Sequence, residues 1–218
     1  MAVGASFTAH AAEHANPSAT PQVRTILNYF QELSARREGR RILSGQFSDF
    51  GNGADLRIME RIQEKTGHWP GLIGVDYADF GRGSLTYQTP DKVAIEYWKQ
   101  GGLVTDYAGE RYVDIVGIDA YTDFVDQQHI KGYEEIAALP KPFGFTEYGP
   151  HGSQNPPGNY DYRRFMNGLE KEFPRTCFFM CWNAKWSLAT NDYTKELLAH
   201  SSVVNLEDLP ANLFKTDK

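Results

Sequence analysis

Only two cysteines occur in the 218 residues, too few to staple a disulfide-built scaffold. Both, Cys177 and Cys181, fall within one expected strand, where a rise of ~3.3 Å per residue sets their Cα atoms about 13 Å apart, beyond disulfide reach. They read as buried thiols. No apolar run approaches the ~20 residues needed to cross a bilayer, so no membrane partner is expected. No basic run occurs either, and a net charge of −6 argues against nucleic acid. The histidines (His10, His14, His68, His129, His151 and His200) show no paired metal spacing. No glycine-rich phosphate loop follows a strand and no Gly-x-Ser-x-Gly elbow is present. No metal and no cofactor is expected.

What is present is globular in character, with 41% hydrophobic and 13% aromatic residues. The N-terminus is rich in alanine but has neither a basic start nor a continuous apolar segment, which makes it a poor signal peptide. The expected organisation is a flexible leader over residues 1–19 and a single domain over 20–218.

The domain has a steady rhythm of strand, loop and helix. Thr20-Pro21 is a hydroxyl N-cap followed by proline, and Val23, Ile26, Leu27, Phe30 and Leu33 repeat behind it at helical spacing. Strands are expected at Arg40–Phe47, Leu72–Val75, Leu103–Thr105, Tyr112–Tyr121, Phe143–Glu147 and Cys177–Trp182. Between them helices are expected at Ala54–Lys65, from Thr89-Pro90 to Gly101-Gly102, at Ile130–Leu139 and at Tyr160–Phe173, with a last one at Asp192–His200. Such alternation implies parallel β/α units.

The segment Lys141-Pro-Phe-Gly-Phe-Thr-Glu-Tyr-Gly-Pro150 concentrates the chemistry. An apolar run climbs to Thr146, delivers Glu147, and breaks into a Gly149-Pro150 turn. In an α/β barrel the C-terminal end of a strand is where reacting groups are placed. The plainer reading is a strand end whose glutamate caps the next helix or pairs with an arginine.

One junction breaks the rhythm. Only six residues, Asp106 to Arg111, separate the strand ending at Thr105 from the one beginning at Tyr112. Parallel neighbours need a crossover of about a dozen residues or more. Six strands are visible where a barrel needs eight, and such barrels run to about 250 residues. The expected fold is therefore an incomplete (β/α)8 TIM barrel, α/β in class, with part of it missing after Thr105.

The segments Arg41–Phe47 (RILSGQF), Gly101–Thr105 (GGLVT), Arg111–Tyr121 (RYVDIVGIDAY), Lys141–Pro150 and Met180–Asn183 (MCWN), in this order, resemble glycoside hydrolase family 26. The resemblance runs from about Pro17 to Pro210. It implies a retaining endo-β-1,4-mannanase on a (β/α)8 barrel, secreted, with β-mannan as its partner. Two carboxylates about 5–5.5 Å apart do the chemistry in such an enzyme. By this resemblance Glu147 is the nucleophile, Tyr121 the tyrosine that orients it, and Trp182 the floor of the reacting sugar's subsite. The family's strand-four His-Glu-Met-like segment, which carries the acid/base, has no counterpart here. Asp106–Arg111 instead resembles the family's lead-in to strand six, so strands four and five are the missing ones. Glu110, at the wrong end of a strand, is no replacement acid.

Other residues carry two readings each. Tyr77 contacts substrate or is solvated in its loop with Asp76 and Asp79, and Trp186 lines a subsite or closes over Trp182. Asp119 and Asp123 support Tyr121 or cap the next helix, Asp114 bonds backbone or an arginine, and His151 reaches the cleft or lies on the surface. Mannan hydrolysis is expected to be weak or lost. The alternatives are a non-catalytic carbohydrate-binding remnant or a deletion product with no activity of its own. An open barrel exposes strand edges, so the chain is a monomer if it folds alone, or associates with itself through the seam.

Overall fold

The computed structural model describes residues 16–36, 38–79, 84–85, 88–105, 114–150 and 158–215. The leader's first fifteen residues, Glu110 and His151 lie outside them, as does the junction from Asp106 to Val113.

Among the described residues ten strands form, in chain order β1 (Ile42–Leu43), β2 (Gly45–Phe50), β3 (Leu72–Asp76), β4 (Ala78–Asp79), β5 (Ser84–Leu85), β6 (Leu103–Thr105), β7 (Val116–Tyr121), β8 (Phe143–Gly149), β9 (Thr176–Cys181) and β10 (Val203–Val204). β4 and β5 make a small antiparallel pair. The other eight form one parallel sheet. β1 and β2 are one strand interrupted at Ser44, whose hydroxyl donates to Val204 O and accepts from Gly71 N. Laid side by side the strands run β7, β8, β9, β1/β2, β3, β6, with β10 beside β1. Among the described residues β7 and β6 therefore have one neighbour each. In a closed barrel these are the sixth and third positions, so the two absent units belong between them. The sheet is a curled, open barrel.

Six α-helices accompany it among the described residues: α1 (Pro21–Ala35), α2 (Arg57–Thr66), α3 (Gln88–Lys99), α4 (Tyr133–Ala137), α5 (Tyr162–Glu172) and α6 (Thr194–Leu198). Thr20 caps α1 by accepting from Val23 N at 3.3 Å, and Asp161 caps α5 by accepting from Arg163 N. Gly67 stops α2 in the left-handed conformation, φ 86°. Two expected helices shrink. α4 starts only after Gly132, itself left-handed at φ 86°, because residues before it are held in a turn in which Asp126 accepts from both the backbone and the ring of His129. α6 likewise occupies only the centre of the expected span.

Strand alternation divides the core in two. Ile73, Val75, Ala120, Phe143, Phe145, Tyr148, Phe179 and Cys181 face α2, α3, α5 and α6. Leu43, Phe47, Leu72, Leu103, Phe178 and Met180 face inward, where α1 lays Phe30 and Leu33 over them. Phe30 meets Phe178 edge-on at 5.6 Å between ring centroids. Cys177 and Cys181 are both free and buried. All six residues of β9 are buried, whereas Val116, Gly117 and Ile118 of edge strand β7 are only half-buried.

The inner layer leaves no room beside Phe178. A Cβ on Gly144 would stand 2.1 Å from that ring. Gly144→Ala is expected to destabilise the fold by about 1–3 kcal/mol through overpacking. The readout is a lower urea midpoint at unchanged slope.

Candidate active site

The strand ends of a parallel sheet share one rim, and this rim collects Phe50 (β2), Asp76 (β3), Tyr121 (β7), Glu147 (β8) and Trp182, the residue after β9. Glu147 reaches it through a fault in strand periodicity. Phe143 and Phe145 point to the helices, and strict alternation would send residue 147 the same way. Tyr148 takes that place instead. The pairing of β8 slips between Phe145 and Tyr148 against β9, and opposite Ile118 and Asp119 against β7. The extra residue, Thr146, makes a β-bulge, and it releases Glu147 from the helix side. Tyr148 locks the bulge from behind, stacked on Phe165 at 3.9 Å and donating its hydroxyl to Thr122 O at 3.0 Å.

Tyr121 donates its phenol hydroxyl to Glu147 Oε2 at 2.7 Å. Partial burial pushes the Glu147 carboxyl above its ordinary range; the Tyr121 hydrogen bond opposes this, and the carboxylates of Asp119 and Asp76 add to it. Tyr121 is pushed up as well, first by burial and then by its bond to Glu147, and it stays a protonated donor. Asp119 is the register partner of Glu147 on the neighbouring strand and accepts from the Thr146 hydroxyl at 2.7 Å. Asp76 accepts from Ala78 N at 2.7 Å and so fixes its own turn.

The aromatic residues surround this pair. Trp182 lies flat on Phe47, 4.2 Å between centroids and 3° between planes, with Phe50 edge-on at 5.5 Å. Its backbone is pinned on both sides, N–H to Tyr148 O at 2.8 Å and carbonyl to the Gln46 side chain at 3.0 Å. The buried Gln46 also accepts from Leu188 N at 3.1 Å, tying down the loop that carries Trp186. Tyr121 stands edge-on to Trp182 at 6.3 Å and to Trp186 at 5.9 Å. This closeness requires Gly149, because a Cβ there would fall 2.7 Å from the Tyr121 ring and 2.8 Å from Trp186.

Glu147, Tyr121, Trp182 and Trp186 thus form one connected group. Tyr77 is placed differently, its hydroxyl donating to Asp91 in the first turn of α3 at 3.0 Å. Sequence reasoning passed over Phe47 and Gln46, reading them only as strand residues. It also missed the bulge, whose trace is the Phe-x-Phe-x-x-Tyr spacing of residues 143–148. Among the described residues no cluster of three or more His, Cys, Asp or Glu side chains is arranged to hold a metal ion.

The sequence matches the profile of Glycosyl hydrolase family 26 over residues 15–106 and again over 104–208. The chain belongs to this family. The two matched stretches meet at the short junction after Thr105, where the sheet has its seam. A Mannan endo-1,4-beta-mannosidase of Bacillus subtilis is 40% identical over 166 residues, which is 68% of this chain and 45% of that protein. One from Bacillus subtilis strain 168 is 44% identical over 99 residues, 45% of this chain and 26% of that protein. The chain thus spans less than half the length of these curated relatives. The solved structure of the Bacillus subtilis mannanase BCman superposes with a TM-score of 0.77 at 22% identity, covering 90% of this chain and 96% of that one. A Podospora anserina β-(1,4)-mannanase gives 0.65 at 13% identity, covering 92% and 69%. These likenesses establish the fold as that of family 26 barrels, here open.

The raised carboxyl of Glu147 has a thermodynamic consequence. The native state holds this proton to a higher pH than the unfolded chain, so stability falls as pH climbs from the ordinary glutamate range through the raised value. Glu147→Gln, neutral throughout, is expected to melt higher than the parent at neutral pH. The gain should vanish below about pH 4, where the parent is protonated in both states. Paired thermal scans across that range check the sign.

Proposed function

We propose that the chain carries the attacking half of a retaining β-1,4-mannan hydrolase. Glu147 is its nucleophile and Tyr121 the positioning residue that holds and aims it. Trp182, backed by Phe47, is the floor on which a pyranose stacks, and Trp186 and Tyr77 contact sugar at the margins. The observation that carries this reading is the 2.7 Å bond from Tyr121 to Glu147 beside the Trp182 platform. Family membership and the mannanase relatives support β-mannan as the substrate class. The same reading puts the protein outside the cell, where that polysaccharide is met.

The acid/base half has no counterpart in this proposal. Asp119 lies beside Glu147 on the adjacent strand rather than across the cleft, on the wrong side to protonate a leaving oxygen while Glu147 attacks from the opposite face. Proton donation contributes about 10²–10⁴ in rate, so polysaccharide hydrolysis should be very weak. A substrate whose leaving group needs no proton separates attack from protonation. With 2,4-dinitrophenyl β-mannobioside, a Glu147 carboxylate oxygen bonds to the anomeric carbon and the phenolate departs with the bond's electron pair. Water is then left without a base to activate it. The expected result is a burst of one equivalent of phenolate and a stable glycosyl ester that mass spectrometry maps to Glu147. Glu147→Gln should show neither. Absence of the adduct overturns the assignment of Glu147. Rapid hydrolysis of mannan that Glu147→Ala abolishes overturns the missing acid instead.

A second reading rests on the Trp182–Phe47 stack, which is built without Glu147. A carbohydrate-binding remnant would retain insoluble mannan, release no product, and bind equally well as Glu147→Gln.

A further inference from the structure

We infer that Asn191 and Tyr162 are positioning residues that fix Trp186 at the wall of the cleft. The inference deepens the proposed reading and rests on it in one respect, that Trp186 contacts sugar.

Trp186 is carried by a single 3₁₀ turn, Ala184–Trp186, that follows β9. One such turn has too few internal hydrogen bonds to hold itself, and its carbonyls would ordinarily be left to water. Here four successive carbonyls are each met by a side chain. The Thr190 hydroxyl donates to Ala184 O at 2.8 Å. Asn191 Nδ2 donates to Lys185 O at 2.9 Å and to Ser187 O at 3.0 Å. Between these two, the Tyr162 hydroxyl at the start of α5 donates to Trp186 O at 2.5 Å. Asn191 and Tyr162 are both fully buried. The amide of Asn191 has one workable orientation, because Tyr160 N–H, at 3.0 Å, needs its oxygen. Both amide hydrogens are thereby turned to the carbonyls flanking Trp186. The carbonyl of Asn191 in turn accepts from Lys65, in the last turn of α2.

Two features show that this bracing serves the indole rather than the core. Ala184 is held left-handed, φ 53°, a conformation that a residue with a Cβ keeps only where its surroundings over-determine it. Trp186 itself is half-exposed and belongs to neither core cluster. Its ring is met by Tyr121 edge-on at 5.9 Å and by the Lys185 ammonium at 4.5 Å. A fold gaining only stability from this turn would bury the ring and leave the backbone to solvent. This turn does the reverse, and an indole on a pinned backbone has little freedom left to lose when a sugar binds.

Tyr162→Phe removes one hydroxyl and keeps the buried ring, so the fold is retained. Amides 186–191 should then exchange with deuterium about tenfold faster, those of β9 being unchanged. With 2,4-dinitrophenyl β-mannobioside, the donor concentration giving half the maximal burst rate should rise about tenfold. The rate at saturation should stay within about twofold. Asn191→Ala should act in the same direction and more strongly. Both effects on the donor should disappear in a Trp186→Ala background, since the residues act through that ring. Unchanged exchange in both variants overturns the inference. So does a loss that simply adds to that of Trp186→Ala, or a fall in the saturating rate at unchanged half-saturation. Should Trp186→Ala itself leave donor affinity unaltered, or the parent show no burst, the proposed sugar contact or Glu147 is at fault, and amide exchange alone then decides whether the turn is pinned.

Discussion

A β-strand sends successive side chains to opposite faces, and that parity decides which residues of this sheet can meet a substrate. Everything at the rim depends on its being broken once. In β8 the bulge lets Phe145 and Tyr148, three residues apart, share the helix-side core, so Glu147 is delivered to the cleft instead of being buried under α5. Because Tyr148 is fully buried and stacked on Phe165, restoring regular alternation would expose that aromatic ring and bury a carboxylate. Both changes are strongly unfavourable. The packing of the outer core therefore holds the bulge in place, and the bulge positions the acid.

The acid so placed sits in surroundings that disfavour its charge. It is half-buried and two further carboxylates act on it, with a single phenol donor in compensation. A fold selected for stability alone would put a neutral residue there. Strain of this kind suits the nucleophilic role proposed for Glu147, since a carboxylate fully satisfied by arginine would be a poor nucleophile. The structural counterpart is the rigidity of what surrounds it. Trp182 is held at its N–H, its carbonyl and one ring face, so little of its order would be left for a ligand to impose.

Much of this was legible in the sequence where a local rule operates alone. Thr20-Pro21 and Gly67 act through the backbone within one turn, and the helices they bound formed as expected. The six-residue junction was informative for the same reason, since crossover length is a geometric requirement of parallel strands. The order of the strands then put the seam between the third and sixth positions. What was not legible depends on partners distant in the chain. Val203-Val204 is too short to read as a strand, and it becomes one by pairing with the distant β1, where Ile42 N bonds Ser202 O and Ser44 N bonds Val204 O, with Ser44 and Asn205, 161 residues apart, joined beside it. The expected helix at 130–139 was shortened to Tyr133–Ala137, because Ile130 N is drawn back to Asp126 O and Gly132 is left-handed, contacts that periodicity does not encode. At the site, Glu147 and Tyr121 came from motifs, whereas the supports under Trp182 come from Phe47 and Gln46, on the far side of the sequence from it.

That an open barrel keeps this half-site ordered follows from how the two cores are divided. The outer core is modular, because α2, α3, α5 and α6 each cover the strands nearest to them in space. Removing two units costs it only the contacts at the seam. The inner layer is shared by all strands and would normally be completed from every side. Here α1 and the C-terminal turn around Leu213 and Phe214 fill it from one end, so β9, β1/β2 and β3 stay buried on both faces. Glu147 and Trp182 are built on the strands next to that filled centre, β8 and β9. Tyr121 stands on the edge strand β7 and is steadied there by its bond to Glu147 and its two tryptophan contacts. The loss of barrel closure therefore falls on the wall opposite Glu147, and the side that carries Glu147 retains the packing that holds it.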